Sequence, residues 1–200
     1  MAQSTKFGLI ALMCLLSSPV LAKGERYGAS SSLLSIDSID YEQGESGEMN
    51  ASRYGLLHTR PIDENNNRWR WWFGLNYLAE SVDAPKNGLY QEVTSYEFRV
   101  VPQYALASWG WITPYIGAGL SGAYTQYSNR WVVDSDGYKY GEQLEDIDQF
   151  ELGAVATIGT VIKLGSNPDA HLQFIPQLSY ILPAINNGLG GIELSLSLLF

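Results

Sequence analysis

Apart from Cys14, which lies in an apolar segment near its start, the chain of 200 residues contains no cysteine. From residue 23 onward this excludes disulfides, thiolate metal centres and cysteine nucleophiles together. It also suits passage through an oxidising compartment, where stray thiols mispair. Positive charge is scarce as well. Twelve Lys and Arg stand against 21 Asp and Glu, a net charge of −9. So acidic a chain is no nucleic-acid partner, since that role needs a basic surface. Histidine is rarer still. His58 and His171 are the two, and neither shows a local pairing with a serine and an acid. The last absence is of long apolar runs: after residue 22 none approaches the roughly 20 residues of a membrane-spanning helix. Mean hydropathy is near zero, at −0.09. Strands in which only every second residue is apolar give a similar average.

What is present begins with a leader. Lys6 gives residues 1–22 a positive start, and residues 7–16 (FGLIALMCLL) are an apolar stretch too short to span a bilayer as a helix. Ser17, Ser18 and Pro19 break that stretch ahead of a small-residue cleavage site at Val20-Leu21-Ala22. This is the pattern of a Sec signal peptide. Met13 precedes Cys14 where a lipoprotein signal has a small residue, so no lipid anchor is expected. Residues 23–200 then make one domain.

Within that domain the apolar residues recur with a period of two. In residues 69–81 (WRWWFGLNYLAES), Trp69, Trp71, Phe73, Leu75, Tyr77 and Ala79 share one face. Arg70, Gly74, Asn76 and Glu80 share the other, with Trp72 the exception. On a helix these apolar residues would circle the axis, so a strand fits better. Residues 90–104 set Tyr96, Phe98, Val100 and Tyr104 against Glu97, Arg99 and Gln103. Residues 111–125 set Ile112, Ile116, Leu120 and Tyr124 against the small Gly117, Gly119, Ser121 and Ala123, which suit a crowded interior. Residues 149–163 oppose Phe150, Leu152, Ala154, Ala156, Ile158 and Ile162 to Glu151, Gly153, Thr157 and Gly159. Residues 171–182 oppose Leu172, Phe174, Leu178, Tyr180 and Leu182 to His171, Gln173, Gln177 and Ser179. Two weaker strands come first, 23–36 with Tyr27, Ala29, Ser31 and Leu33 on one face, and 49–60 with Tyr54, Leu56 and Leu57.

Polar connections separate them: an acidic loop at 37–48, a turn at 61–67, a loop at 82–89 and turns at 105–110 and 164–170. Residues 126–148 hold a hairpin turn, DSDG at 134–137, flanked by 130–133 and 138–140 as extensions of the strands. Residues 183–189 lead to the last strand. There Ile192, Leu194, Leu196, Leu198 and Phe200 lie on one face, and Gly191, Glu193, Ser195 and Ser197 on the other. The count is about eight strands, which returns both ends of the domain to one side.

An apolar stripe that runs to a terminal aromatic carboxylate resembles the C-terminal strand of bacterial outer-membrane β-barrel proteins. The PYIGAGLSGAY stretch at 114–124 is similar to the Gly-rich central strands of the small ones. Together with the leader and the period of two, the domain resembles the small outer-membrane barrels of the OmpA/OmpX type. The 13 Tyr and 6 Trp are enough for girdles at two membrane interfaces. The resemblance implies an all-β, closed antiparallel transmembrane barrel with up-and-down topology, a structural or surface-interaction role and no cofactor. It also implies assembly by the outer-membrane insertion machinery, with Ile192, Leu194, Leu196, Leu198 and Phe200 as the assembly signal. Contact with outer-membrane lipids and lipopolysaccharide and a monomeric state are expected.

The residues on the inward faces then become the candidate site. Arg70, Glu80, Glu97, Arg99, Glu151, Lys163 and Glu193 form an expected lumen charge network. An eight-stranded barrel is just wide enough to be filled by side chains, and charges inside it must be paired or hydrated. A static salt-bridged plug is the bland reading, and a gate on a narrow pore for ions or small solutes is the sharper one. Asp37, Asp40, Glu42, Glu45 and Glu48 crowd the first loop, and Asp134, Asp136, Glu142, Glu145, Asp146 and Asp148 the third. Solvated charge explains them; divalent-cation binding beside lipopolysaccharide is the alternative, although Gly137 is misplaced for an EF-hand loop. A lipid-modifying enzyme built on His58 or His171 is a further alternative. A secreted, lipocalin-like carrier is the last, and it requires every strand to turn its apolar face inward.

Overall fold

Alternation decides the sheet. The computed structural model describes residues 24–40, 46–63, 66–83, 89–134, 136–165, 172–185 and 189–200, so residues 1–22, expected as a signal peptide, and His171 lie outside the described residues. Nine strands follow one another: β1 (Arg26–Asp40), β2 (Ser46–Asp63), β3 (Asn66–Asp83), β4 (Leu89–Ala105), β5 (Ile112–Val133), β6 (Lys139–Tyr140), β7 (Ile147–Lys163), β8 (Gln173–Ile185) and β9 (Gly191–Leu199). Every barrel pairing is antiparallel between chain neighbours, apart from the seam where β1 meets β9 from Gly28↔Leu199 to Ile36↔Gly191. Eight strands thus close into a ring with no free edge, which is how a barrel removes the unpaired N–H and C=O groups of a sheet margin. The ninth, β6, is a two-residue extension that pairs with Val132 and Val133 of β5.

The connections fall at two ends. Short turns join β2 to β3, β4 to β5 and β7 to β8 at the end where β1 starts and β9 finishes. The opposite end carries the remaining connections, including the β5–β6 hairpin. Its turn forms as the DSDG composition leads one to expect. Asp134 Oδ1 accepts from the backbone N–H groups of Asp136 and Tyr138, and Gly137 takes φ 82°, which glycine adopts without strain.

Several boundaries need correction, because the strands run further than expected: β2 reaches Asp63 and β3 is Asn66–Asp83, where a turn at 61–67 and a loop from 82 were expected. Residues 37–48, expected as a loop, are strand up to Asp40 and again from Ser46, with Ile39↔Gly47 and Asp40↔Ser46 in register after an irregularity at 36–39. Acidic composition does not by itself end a strand whose backbone ladder continues. β8 likewise runs on through Pro183 to Ile185.

Outward positions are apolar almost everywhere. Tyr54, Tyr77, Tyr96, Tyr124 and Phe150 are direct cross-strand neighbours on five successive strands, an exposed aromatic arc around the barrel. Four residues further along β3, β4, β5 and β7, toward the short-turn end, lies the row Phe73, Val100, Leu120 and Ala154, flanked in register by His58 of β2 and Leu182 of β8, with Leu120 70 % exposed. Beyond it, Trp69 packs on Tyr104 at 4.9 Å between ring centroids, with Trp109 and Trp111 exposed nearby in the β4–β5 turn. From Tyr77 to Trp69 on one strand is about 27 Å of chain, or about 20 Å along the axis for a tilt of about 40°. An apolar band of that height between aromatic rows approaches the lipid-facing band of about 25 Å of transmembrane barrels and is out of place in water. This orientation is the inverse of what a lipocalin-like carrier requires, and that alternative falls.

Candidate functional site

The interior is built from the inward positions of the same strands. Arg53 of β2, Glu97 and Arg99 of β4 and Glu193 of β9 meet in mid-lumen. Arg53 Nη1 lies 2.5 Å from Glu97 Oε2 and 2.9 Å from Glu193 Oε2. Arg99 donates from Nη1 and Nη2 to the two oxygens of Glu193 at 3.0 and 2.7 Å, a two-pronged contact, and from Nε and Nη2 to Glu97. Arg99 is 1 % exposed. Two cations and two anions cancel, and nearly every oxygen finds an N–H, which is the condition under which buried charge is tolerated. The apolar neighbours are close at hand: Leu34 pairs in register with Glu193 and Leu78 with Arg53, and both are buried.

Toward the long-connection end, Glu151 is held by Tyr127 Oη at 3.3 Å, Gln149 Nε2 at 2.9 Å and the backbone N–H of Leu189 at 3.2 Å. Between this carboxylate and the quartet lies a void of only about 20 Å³, lined by Arg53, Ser95, Glu97, Ser121 and Glu151 among others, the space of a single water. Toward the short-turn end comes a neutral layer. Tyr115 Oη donates to Gln177 Oε1 at 2.8 Å, Gln103 Nε2 to the same oxygen at 3.3 Å, and Arg70 Nε to Gln103 Oε1 at 2.8 Å. The Arg70 guanidinium also sits 4.6 Å above the Tyr115 ring. Past Arg70 the barrel opens into a cavity of about 600 Å³ whose walls include Arg26, Arg60, Arg68 and Lys163.

Of the residues expected in the lumen network, Glu97, Arg99 and Glu193 therefore come together, Glu151 occupies the next layer, and Arg70 and Lys163 stand at the mouth. Glu80 is half-buried near the other end and makes no ion pair with a described residue. Arg53 is the member that the sequence reading missed. Tyr54 and Leu56 outward would have turned Arg53 inward, but Leu57 broke the alternation. Leu57 is in fact a buried, inward residue. Trp72, the exception on β3, is also inward and buried, and Gly74 makes room for it: a Cβ there would lie 2.7 Å from the indole.

The other candidates resolve as follows. His58 faces outward, stacked between Tyr27 at 4.6 Å and Phe73 at 5.8 Å, and its Nε2 has no hydrogen-bond partner. No serine or acid touches it among the described residues. No group of three His, Cys, Asp or Glu side chains is placed to hold a metal ion among the described residues. Asp134, one of the acids of the third connection, spends Oδ1 on its own turn. On β9, Ile192, Leu194, Leu196, Leu198 and Phe200 all point outward, while Glu193, Ser195 and Ser197 point into the lumen.

No protein-family model matches the chain, and no curated protein resembles it in sequence. Solved structures match it in fold. The Neisserial surface protein A barrel superposes with a TM-score of 0.55 at 16 % identity, over 88 % of this chain and 96 % of that one. The N-terminal β-barrel domain of Pseudomonas aeruginosa OprF gives 0.53 at 11 % identity, over 90 % and 98 %. The outer membrane protein OprG of Pseudomonas aeruginosa gives 0.51 at 13 %, over 88 % and 91 %. The fold is that of the small, eight-stranded outer-membrane barrels.

Proposed function

We propose that this chain is an integral protein of the bacterial outer membrane whose barrel is an anchor and a surface platform rather than a channel. The observation that carries the reading is the pairing of an apolar, aromatic-bordered outer wall with a lumen filled by a neutral Arg–Glu quartet. The names of the similar structures, a surface protein and outer-membrane proteins, support the location. On this reading residues 1–22 direct export, and the outward stripe from Ile192 to Phe200 is the strand that the insertion machinery reads. The long-connection end faces outside, where its acidic residues meet lipopolysaccharide and whatever the surface contacts. The short-turn end faces the periplasm.

Two measurements test it. The refolded protein should migrate faster on a detergent gel unboiled than boiled, and planar bilayers containing it should show no steady ohmic conductance. A soluble monomer without the gel shift would overturn the membrane reading, and a stable conductance would make it a pore. The location can also be read from a single side chain. Leu120→Arg should cost about 2–4 kcal/mol in a bilayer, as a charge at mid-depth on a lipid face does. At a water-exposed position the same change stays within about 0.5 kcal/mol. Urea unfolding in lipid vesicles distinguishes the two.

A further inference from the structure

The basic residues of this acidic chain are not spread evenly. Five of its twelve Lys and Arg, namely Arg26, Arg60, Arg68, Arg70 and Lys163, line the 600 Å³ cavity at the short-turn end, and among the described residues no Asp or Glu lines it. Among the described residues Glu25, just before β1, Asp63, the last residue of β2, and the terminal carboxylate of Phe200 lie near that mouth but not on the cavity wall. The opposite end carries the acidic connections. The barrel is thus polarised along its axis.

The floor of the cavity gives this charge a direction. Arg53 and Arg99, at mid-lumen, are neutralised by Glu97 and Glu193. Arg70 is not. Its partners are the neutral amide of Gln103 and the face of Tyr115, and its Nη2, inaccessible to solvent, has no hydrogen-bond partner. A buried cation that lacks an anion is costly, as is a buried donor without an acceptor. Above it, Arg60 and Lys163 make no ion pair with a described residue. Low-dielectric walls concentrate the field of such a cluster, and guanidiniums present paired N–H groups that match the oxygens of a phosphate.

We infer that this mouth is a binding site for a phosphate-bearing ligand, held at its floor by Arg70 and at its rim by Arg60 and Lys163. The site rests on the fold and its side chains. Only the side from which the ligand arrives rests on the outer-membrane reading, which makes it the periplasm. The phosphate has two possible carriers, a soluble solute or a headgroup of the adjacent lipid leaflet, and recognition chemistry is the same for both.

Calorimetric titration of the refolded protein in zwitterionic detergent with inorganic pyrophosphate, at ionic strength held constant with chloride, tests it. Binding should saturate, and both Arg70→Gln and the rim pair Arg60→Gln with Lys163→Gln should weaken it about tenfold or more. Lys139→Gln, at the far end of the barrel, should leave it within twofold. The rim pair is the safeguard, because Arg60 is exposed and Lys163 half-buried at the mouth, and both can be neutralised without touching the packed quartet. Repeating the titration in vesicles separates the carriers. A response suppressed by phosphatidylglycerol, relative to phosphatidylcholine alone, assigns the site to headgroups, and an unchanged one to a soluble ligand. Absence of saturable heat, or binding that neither variant weakens, overturns the inference. The detergent experiment needs no membrane insertion, so its failure and that of the outer-membrane reading are separate results.

Discussion

Arg99→Met should destabilise the barrel by about 3–5 kcal/mol, the usual cost of leaving a buried charge without its partner. The size follows from the geometry. Arg99 supplies contacts to both oxygens of Glu193 and to Glu97, and its loss leaves two carboxylates in the lumen with only the Arg53 guanidinium between them. The informative comparison is the double variant Arg99→Met with Glu193→Gln. It restores neutrality by leaving the Arg53–Glu97 pair, at 2.5 Å, intact. The second change should therefore recover about 2 kcal/mol of the loss rather than add to it, because groups in one ion network are coupled. Unfolding in urea, followed by tryptophan fluorescence in vesicles, measures both. Simple additivity of the two changes would mean that the quartet is not the unit described here.

The same quartet marks how far the sequence could be read. The inward position of Glu97, Arg99 and Glu193 followed from strand period alone, because each is flanked by residues that cannot avoid the lipid side: Tyr96 and Phe98, Val100, and Ile192 with Leu194. Period assigns a face, however, not a height. Nothing in the spacing tells that Glu193 of β9 stands level with Arg99 of β4, since that depends on the register and tilt of the strands between them. For the same reason Arg70 and Lys163 could not be separated from the central network, nor their shared cavity foreseen. Leu57 and Trp72 hid the rest. An interior that alternates charged layers with apolar ones places large hydrophobic residues on the wrong face of the simple pattern, and Arg53 was lost with Leu57. The strand at 37–40 and 46–48 was hidden in a different way: its residues are acidic and small and show no apolar alternation, which is the only signal the period offers.

Closure of the ring depends on the seam, and Gly28 is where the seam is tightest. It pairs with Leu199, and a Cβ at residue 28 would lie 2.0 Å from the carbonyl oxygen of Leu198 and 2.6 Å from the Leu199 side chain. The first obstacle is backbone and cannot rotate away. Gly28→Val should therefore push β1 off β9 along much of the nine-pair ladder from Gly28↔Leu199 to Ile36↔Gly191. In water a sheet that opens exchanges its hydrogen bonds for solvent, but in hydrocarbon each orphaned N–H or C=O costs several kcal/mol. Partial opening is then no refuge, and the expected outcome is all-or-none: loss of the fast-migrating unboiled band, with β-rich circular dichroism reduced rather than shifted in midpoint. Ser30→Val, two residues along on the same strand, controls for side-chain bulk and β-propensity and should keep the band. A Gly28→Val protein that still shows the unboiled form would mean that β1 and β9 stand further apart than this seam has them.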